Sequence, residues 1–202
     1  MIVIIDYGMG NVGSVKNAVE ALGFDAMVSA DKDVVARATH LILPGVGAFG
    51  DGIQNLRARG LDALLAREVI EKKKPILGLC LGMQMFATSG EEGGRHEGLG
   101  WIKGVVRRLR VDESVYKIPH VGWNDVIPGS NARLFKGVKR PIFYFVHSYH
   151  LVPDDQSVVV AQAEYGEKFV AAIECQNIFG LQFHPEKSQL EGLKVLENFL
   201  NI

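Results

Sequence analysis

The first 88 residues alternate two kinds of apolar pattern. Short, largely apolar runs occur at Ile2–Ile5, Ala26–Ser29, His40–Leu43 and Ile76–Leu79. Runs of this length, bounded by turn residues, predict buried strands. Between them, apolar positions recur at helical spacing. Val12, Val15, Val19 and Leu22 mark a helix over Asn11–Leu22, stopped by Gly23. Asp33–Ala38 predicts a short helix, Gly52–Lys73 a longer one broken at Gly60, and Leu81–Ala87 the opening of another. Strand–helix alternation predicts a mostly parallel sheet covered on both faces. Right-handed crossovers make it doubly wound, with its site at the carboxyl ends of the strands.

The pattern changes after Ser89. SGEEGGRHEGLG predicts a surface loop. Val105–Val111, Pro141–Val146, Ser157–Ala163, Phe169–Ile173 and Phe179–Phe183 then read as strands in hairpin or antiparallel order. Lys187–Leu200 closes with an amphipathic helix whose stripe is Leu190, Leu193, Leu196, Phe199 and Leu200. There is no internal repeat and no low-complexity linker. The expected fold is α/β: a doubly wound, mostly parallel sheet with an added antiparallel segment. It forms a single domain over residues 1–202, its two halves sharing one core.

Composition narrows the function classes. With 48% apolar and 22% charged residues, the chain is neither disordered nor fibrous. Twenty-two basic residues against 23 acidic give a net charge of −1, which argues against a general nucleic-acid or anionic-membrane surface. No apolar stretch is long enough to span a bilayer. MIVIIDYGMG enters strand-like sequence directly, without the basic and small-residue features of a signal peptide. Two cysteines are no disulfide framework, and a reducing cytoplasm is the expected compartment.

Several segments carry candidate chemistry. Gly8-Met-Gly10-Asn-Val-Gly13 matches a dinucleotide fingerprint in the first strand–helix turn, with Asp31 placed to meet a ribose. Gly45-Val-Gly47-Ala-Phe-Gly50 repeats the pattern. Both also fit tight turns where backbone must bend sharply. Gly78-Leu79-Cys80-Leu81-Gly82 has the form of a nucleophile elbow between strand and helix. The following helix would favour thiolate through its N-terminal dipole. Alternatively, Cys80 is a small packed side chain, as cysteines often are. Phe183-His184-Pro185-Glu186 ends a late strand. In an extended segment Glu186 lies on the same side as His184 and can orient its imidazole as a general base. Together with the elbow, this predicts a Cys80–His184–Glu186 triad. The loop Pro44–Gly50 ends the neighbouring strand, so one of its N–H groups can join that of Leu81 in an oxyanion hole. Gln84, one helical turn after Cys80, faces the same pocket. His147, His150 and His184 lack a motif that would make them a metal site, and Cys175 reads as a packed or edge thiol. Lys72–Lys74 and Arg107–Arg110 read as solvated basic groups.

These residues resemble the class I (triad) glutamine amidotransferases along essentially the whole chain. GLCLGMQ is similar to their nucleophile segment and FHPE to their His–Glu segment. PGVGAFGD, PHVGWN, FYFVHSYH, FHPEKS and DYGMGN are together similar to one subfamily, the glutaminase subunits of imidazole glycerol phosphate synthases. The resemblance implies hydrolysis of L-glutamine, without cofactor or metal. The ammonia would pass to a separate (β/α)₈-barrel cyclase subunit in histidine biosynthesis, a barrel that this chain is too short to contain. It implies Cys80, His184 and Glu186 as catalytic residues and the backbone at Val46, Gly47 and Leu81 as the oxyanion hole. Gly45, Gln84, His147, Ser148 and Tyr149 would bind glutamine, and Asn11, Trp123, Asn124, Tyr144 and Lys187 would face the cyclase. Other readings are a nicotinamide-dependent oxidoreductase built on Gly8–Gly13, a catalytically silent binding subunit, and a glutaminase serving another ammonia-consuming synthase.

Overall fold

Strand alternation sorts the apolar side chains onto the two faces of a sheet. In the computed structural model, which describes residues 1–202, Ile2 and Ile4 of β1 (Ile2–Ile5) enter one core, while Val3 and Ile5 enter another. β2 (Ala26–Ser29), β3 (His40–Leu43) and β4 (Ile76–Leu79) lie parallel to β1. Helix α1 (Val12–Ala21) packs on the first face. Helices α2 (Lys32–Arg37), α3 (Phe49–Ala58) and α4 (Leu61–Leu65) cover the second. The predicted break at Gly60 is present, with φ of 64°. Beyond α4 the chain winds as a π-helical turn, Ala66–Glu71, around the buried Glu68, which pairs with Lys72 and Lys74.

The predicted helix over Leu81–Ala87 is shorter. α5 spans Leu81–Gln84, and the chain then enters β5 (Ala87–Gly90). The carbonyls of Met85, Phe86 and Ala87 accept N–H groups from Leu99, Ile102 and Gly100 instead of continuing a helical ladder. The glycine-rich segment is thus partly sheet. β5 pairs with β6 (His96–Glu97) and lies beside β7 (Ile102–Arg108), which pairs with β10 (Tyr149–Pro153) to complete a four-stranded sheet.

The remaining strands extend the main sheet. They are β8 (His120–Pro128), β9 (Ile142–His147), β11 (Val159–Tyr165), β12 (Glu167–Cys175) and β13 (Ile178–Leu181). The sheet has nine strands in the order β2-β1-β3-β4-β13-β12-β11-β8-β9. Its first five strands are parallel, and from β13 onward every neighbour is antiparallel, so the added segment supplies four of the nine strands. The two halves share a core on each face of this sheet rather than one core. β8 and β10 fall outside the strands expected from sequence.

The last helix, α6 (Gln189–Leu200), starts later than expected because Pro185–Lys187 forms a 3₁₀ turn. Leu190 leaves the expected stripe and is 80% exposed, while Leu196, Phe199 and Leu200 are buried. A Cβ on Gly192 would strike the Pro185 carbonyl, so the helix docks directly on the turn that follows His184.

Candidate active site

β4 and β13 are neighbours in the middle of the sheet, and both end on the same side. Cys80 follows β4 and His184 follows β13, so the parallel register brings the two expected reactive residues together. Cys80 has φ of 52° and ψ of −107°, a backbone conformation that costs a non-glycine residue about 1–3 kcal/mol. The flanking glycines explain how the turn closes. A Cβ on Gly82 would overlap the Leu43 carbonyl, and one on Gly78 would meet the backbone of Gly82 and Met83. The Cys80 N–H donates to Leu181 O at 2.7 Å, tying the elbow to the strand that carries His184. Because α5 has only four residues, its dipole contributes less to the sulfur than the longer helix expected from sequence.

His184 Nδ1 lies 2.9 Å from Glu186 Oε1, and both side chains are buried. The reach comes from the 3₁₀ turn Pro185–Lys187 rather than from a continued extended strand. Burial opposes a charge on His184, but the neighbouring Cys80 sulfur and Glu186 carboxylate outweigh it and push its pKa up to about 10. An imidazolium is therefore favoured beside the sulfur and carboxylate. The other ring nitrogen, Nε2, is buried without a hydrogen bond, free for a reacting group.

Cys80 opens onto a cleft of about 370 Å³ lined by Val46, Gly47, Ala48, Leu81, Gln84, Glu92 and His147–Tyr149, among others. The loop expected to carry oxyanion donors is thus beside the sulfur, and Leu81 N is the first N–H of α5, without an acceptor inside the helix. Gly45 packs on Tyr7, and a Cβ there would overlap the Tyr7 hydroxyl. That hydroxyl is buried without a partner, and burial and then the charge of Cys80 raise its pKa. Gln84 Nε2 donates to Tyr149 O at 2.8 Å and to Gln182 Oε1 at 3.1 Å. Gln182 Nε2 lies 3.5 Å from Cys80 Sγ. Both ring nitrogens of His147 are engaged, one with Tyr149 O and one with His120, so its imidazole offers no polar atom to a substrate.

Sequence reasoning missed Gln182, Glu92 and Tyr7. Gln182 had a signal, since it lies two residues before His184. Glu92 accepts the Phe49 N–H at 2.9 Å and presents a carboxylate to the cleft from the glycine-rich segment. The dinucleotide reading fails at Asp31, whose carboxylate caps α2 through the N–H groups of Asp33 and Val34. No three His, Cys, Asp or Glu side chains are grouped to hold a metal ion, and no helix is long and apolar enough to cross a membrane.

The residues expected to face a partner divide into groups. Lys187 Nζ sits 5.7 Å from the Tyr144 ring centre, and Trp123 meets that ring edge-to-face. Trp123, Ile142 and Leu190 line an adjoining hollow of about 380 Å³ with exposed apolar surface. Asn124 turns its amide towards His120, and the exposed Asn11 precedes α1.

The glutamine amidotransferase class-I family matches residues 3–202. The chain is 50% identical to imidazole glycerol phosphate synthase subunit HisH of Aquifex aeolicus, covering 98% of this chain and 94% of that one. It is 45% identical to subunit HisH 2 of Methanococcus maripaludis, covering 99% and 98%. Among solved structures, a glutamine amidotransferase crystal structure superposes with a TM-score of 0.77 at 19% identity, covering 100% of this chain and 98% of that one. The structure of PurLQS from Thermotoga maritima gives 0.76 at 24% identity, covering 99% and 97%.

Proposed function

This chain belongs to the class-I glutamine amidotransferase family, and on that footing we propose that Cys80, His184 and Glu186 split the side-chain amide of L-glutamine. Its function is that of the glutaminase subunit of imidazole glycerol phosphate synthase, in histidine biosynthesis, where it works with a cyclase subunit. The observation that carries the residue assignment is the meeting of the strained Cys80, which opens onto the cleft, with the buried His184–Glu186 pair behind it.

The thiolate of Cys80 attacks the amide carbon. The resulting oxyanion accepts hydrogen bonds from backbone N–H groups at Val46 or Gly47 and at Leu81. His184, held by Glu186, gives its proton to the departing ammonia and leaves a thioester. The neutral imidazole then takes a proton from water, whose oxygen attacks the thioester. Cys80 leaves as thiolate, and glutamate is released. Glu92 and the Gln84 amide oxygen orient the substrate's α-ammonium group. The chemistry calls for neither metal nor cofactor, and the reducing cytoplasm is the compartment it implies.

The ammonia is consumed on a (β/α)₈-barrel cyclase, which converts a phosphoribulosyl-formimino ribotide into imidazole glycerol phosphate and aminoimidazole carboxamide ribotide. Trp123, Asn124, Tyr144, Lys187 and Asn11 form its docking face. The exposed apolar hollow beside Trp123 supports that assignment. The test uses the assembled complex. Cys80→Ala should lower glutamine-dependent synthesis by about 10³-fold or more, yet preserve synthesis from an ammonium salt. Persistent glutamine hydrolysis, or labelling of Cys175 by an electrophilic glutamine analogue, overturns the assignment.

A further inference from the structure

A hydrogen-bonded line of side chains, half-buried at Asn124 and buried at His120 and His147, runs from the rim of the sheet to the glutamine cleft, and the catalytic steps above use none of its imidazoles. Asn124 Nδ2 faces His120 Nε2 at 3.4 Å, His120 Nδ1 meets His147 Nε2 at 3.0 Å, and His147 Nδ1 reaches Tyr149 O at 2.9 Å. His120 is stacked on Tyr165, with ring centres 4.0 Å apart, and on Phe145 at 5.1 Å, so its plane is fixed.

Donor and acceptor accounting fixes the direction of this line. Asn124 Oδ1 accepts the Asp125 N–H at 2.8 Å, and Nδ2 donates to Glu164 O at 2.8 Å. Two backbone groups therefore set which way the Asn124 amide points, and it can only donate to His120 Nε2. His120 must then carry its proton on Nδ1 and donate to His147 Nε2. His147 in turn must carry its proton on Nδ1 and donate to the Tyr149 carbonyl. A proton added to either ring would set N–H against N–H somewhere in the line. Burial acts in the same sense, lowering the pKa of His120 to about 4 and of His147 to about 3.

The far end of the line lies in the cleft. Tyr149 O accepts from His147 on one side and from Gln84 Nε2 on the other. Gln84 gives its second N–H to Gln182, so its carbonyl oxygen is the only polar side-chain atom left for a ligand. The orientation of Gln84 thus depends on a carbonyl whose second partner is an imidazole of defined tautomer.

We propose that His120 and His147 are positioning residues for glutamine binding, transmitting the amide orientation of Asn124 at the rim to the Tyr149 carbonyl and the Gln84 side chain in the cleft. The proposal rests on the glutaminase reading of that cleft. It also connects the docking face to the substrate site through one continuous polar route, without a moving element. Neither imidazole touches the reacting atoms, so the effect falls on binding more than on turnover.

The experiment uses the complex with the cyclase subunit and follows glutamate release. His147→Phe keeps a ring but removes the donor to Tyr149, and should raise KM for glutamine about tenfold while changing kcat less than about threefold. His147→Asn places an N–H near the lost Nδ1 and should recover most of that KM change. Nitrogen-15 spectra of the histidine-labelled wild-type protein, which do not depend on a variant folding, should show His120 and His147 both neutral and both Nδ1-protonated at neutral pH. A folded His147→Phe complex with unchanged KM overturns the proposal. So does an Nε2-protonated or cationic His120 or His147 in the spectra. A wild-type complex that hydrolyses no glutamine overturns the glutaminase reading itself, whereas normal wild-type hydrolysis with unchanged KM in His147→Phe overturns only this inference.

Discussion

The proposed nucleophile and base sit on adjacent strand ends but are held by different means. Cys80 is fixed by backbone. Its φ of 52° is imposed by a turn that passes between Gly78 and Gly82, with no room for a Cβ at either glycine. His184 has relaxed extended torsions, and its imidazole is fixed by the Glu186 carboxylate 2.9 Å away. Around it, the His184 N–H donates to Tyr144 O, and the Ser188 hydroxyl donates to His184 O. A site can therefore place one partner through chain geometry and the other through charge. The two are vulnerable to different changes: steric on the elbow, electrostatic at the histidine.

The sharpest way to break this contrast is Gly82→Ala. The added methyl overlaps the Leu43 carbonyl, a backbone group inside the sheet that cannot swing aside. We expect a stability loss of about 3 kcal/mol or more, read by chemical denaturation, with activity lost together with the folded state. A stable Gly82→Ala protein would show that the elbow has slack. Glu186→Gln should do the reverse. The melting temperature should move only a few degrees, while glutamine turnover falls by about 10²-fold or more, because a neutral amide can orient the ring but stabilises imidazolium poorly. Equal damage to stability and turnover would erase the distinction between the two sides.

A third test is a pH dependence. His184 has a folded pKa of about 10 against an ordinary value of 6.5. A raised pKa means that protonation stabilises the fold. The contribution is complete below the ordinary value and disappears as pH climbs through the folded one. The stability advantage of wild type over His184→Gln should therefore shrink between pH 6.5 and pH 10, measured by melting at each pH. The Gly82→Ala deficit should stay constant over the same range. A wild-type advantage that does not change with pH would mean that His184 rests neutral.

What could be read from the sequence follows the same division between local and distant causes. β1 and β4 announce themselves because each is apolar throughout and buried on both faces. The elbow was legible because its glycines and cysteine are contiguous, and the His184–Glu186 pair because its members are two residues apart. β8 was not legible. Only His120 and Val126 are buried, the rest of its residues being exposed or half-exposed, and its partners β9 and β11 come later in the chain. The apolar alternation that signals a strand is absent there. The same distance hid the roles of His120 and Gln182, whose partners at His147 and Gln84 are 27 and 98 residues away. Leu190 fitted a helical stripe by spacing, yet α6 docks through Gly192, Leu196 and Phe199 and turns Leu190 outwards.

The position of β13 has a consequence for synthesis. A strand formed by residues 178–181 lies between β4 and β12, joining the parallel and antiparallel parts of the sheet. As the chain leaves the ribosome, β1–β4 can assemble early, but one edge of β4 then stays unpaired, with an apolar strand open to other chains. The elbow at Cys80 exists at that stage only in part, since its N–H awaits the carbonyl of Leu181. Cys80 thus gains its neighbour His184, and the sheet loses its exposed edge, in one late event. Nascent chains halted before residue 178 should be both catalytically inert and the most prone to aggregate.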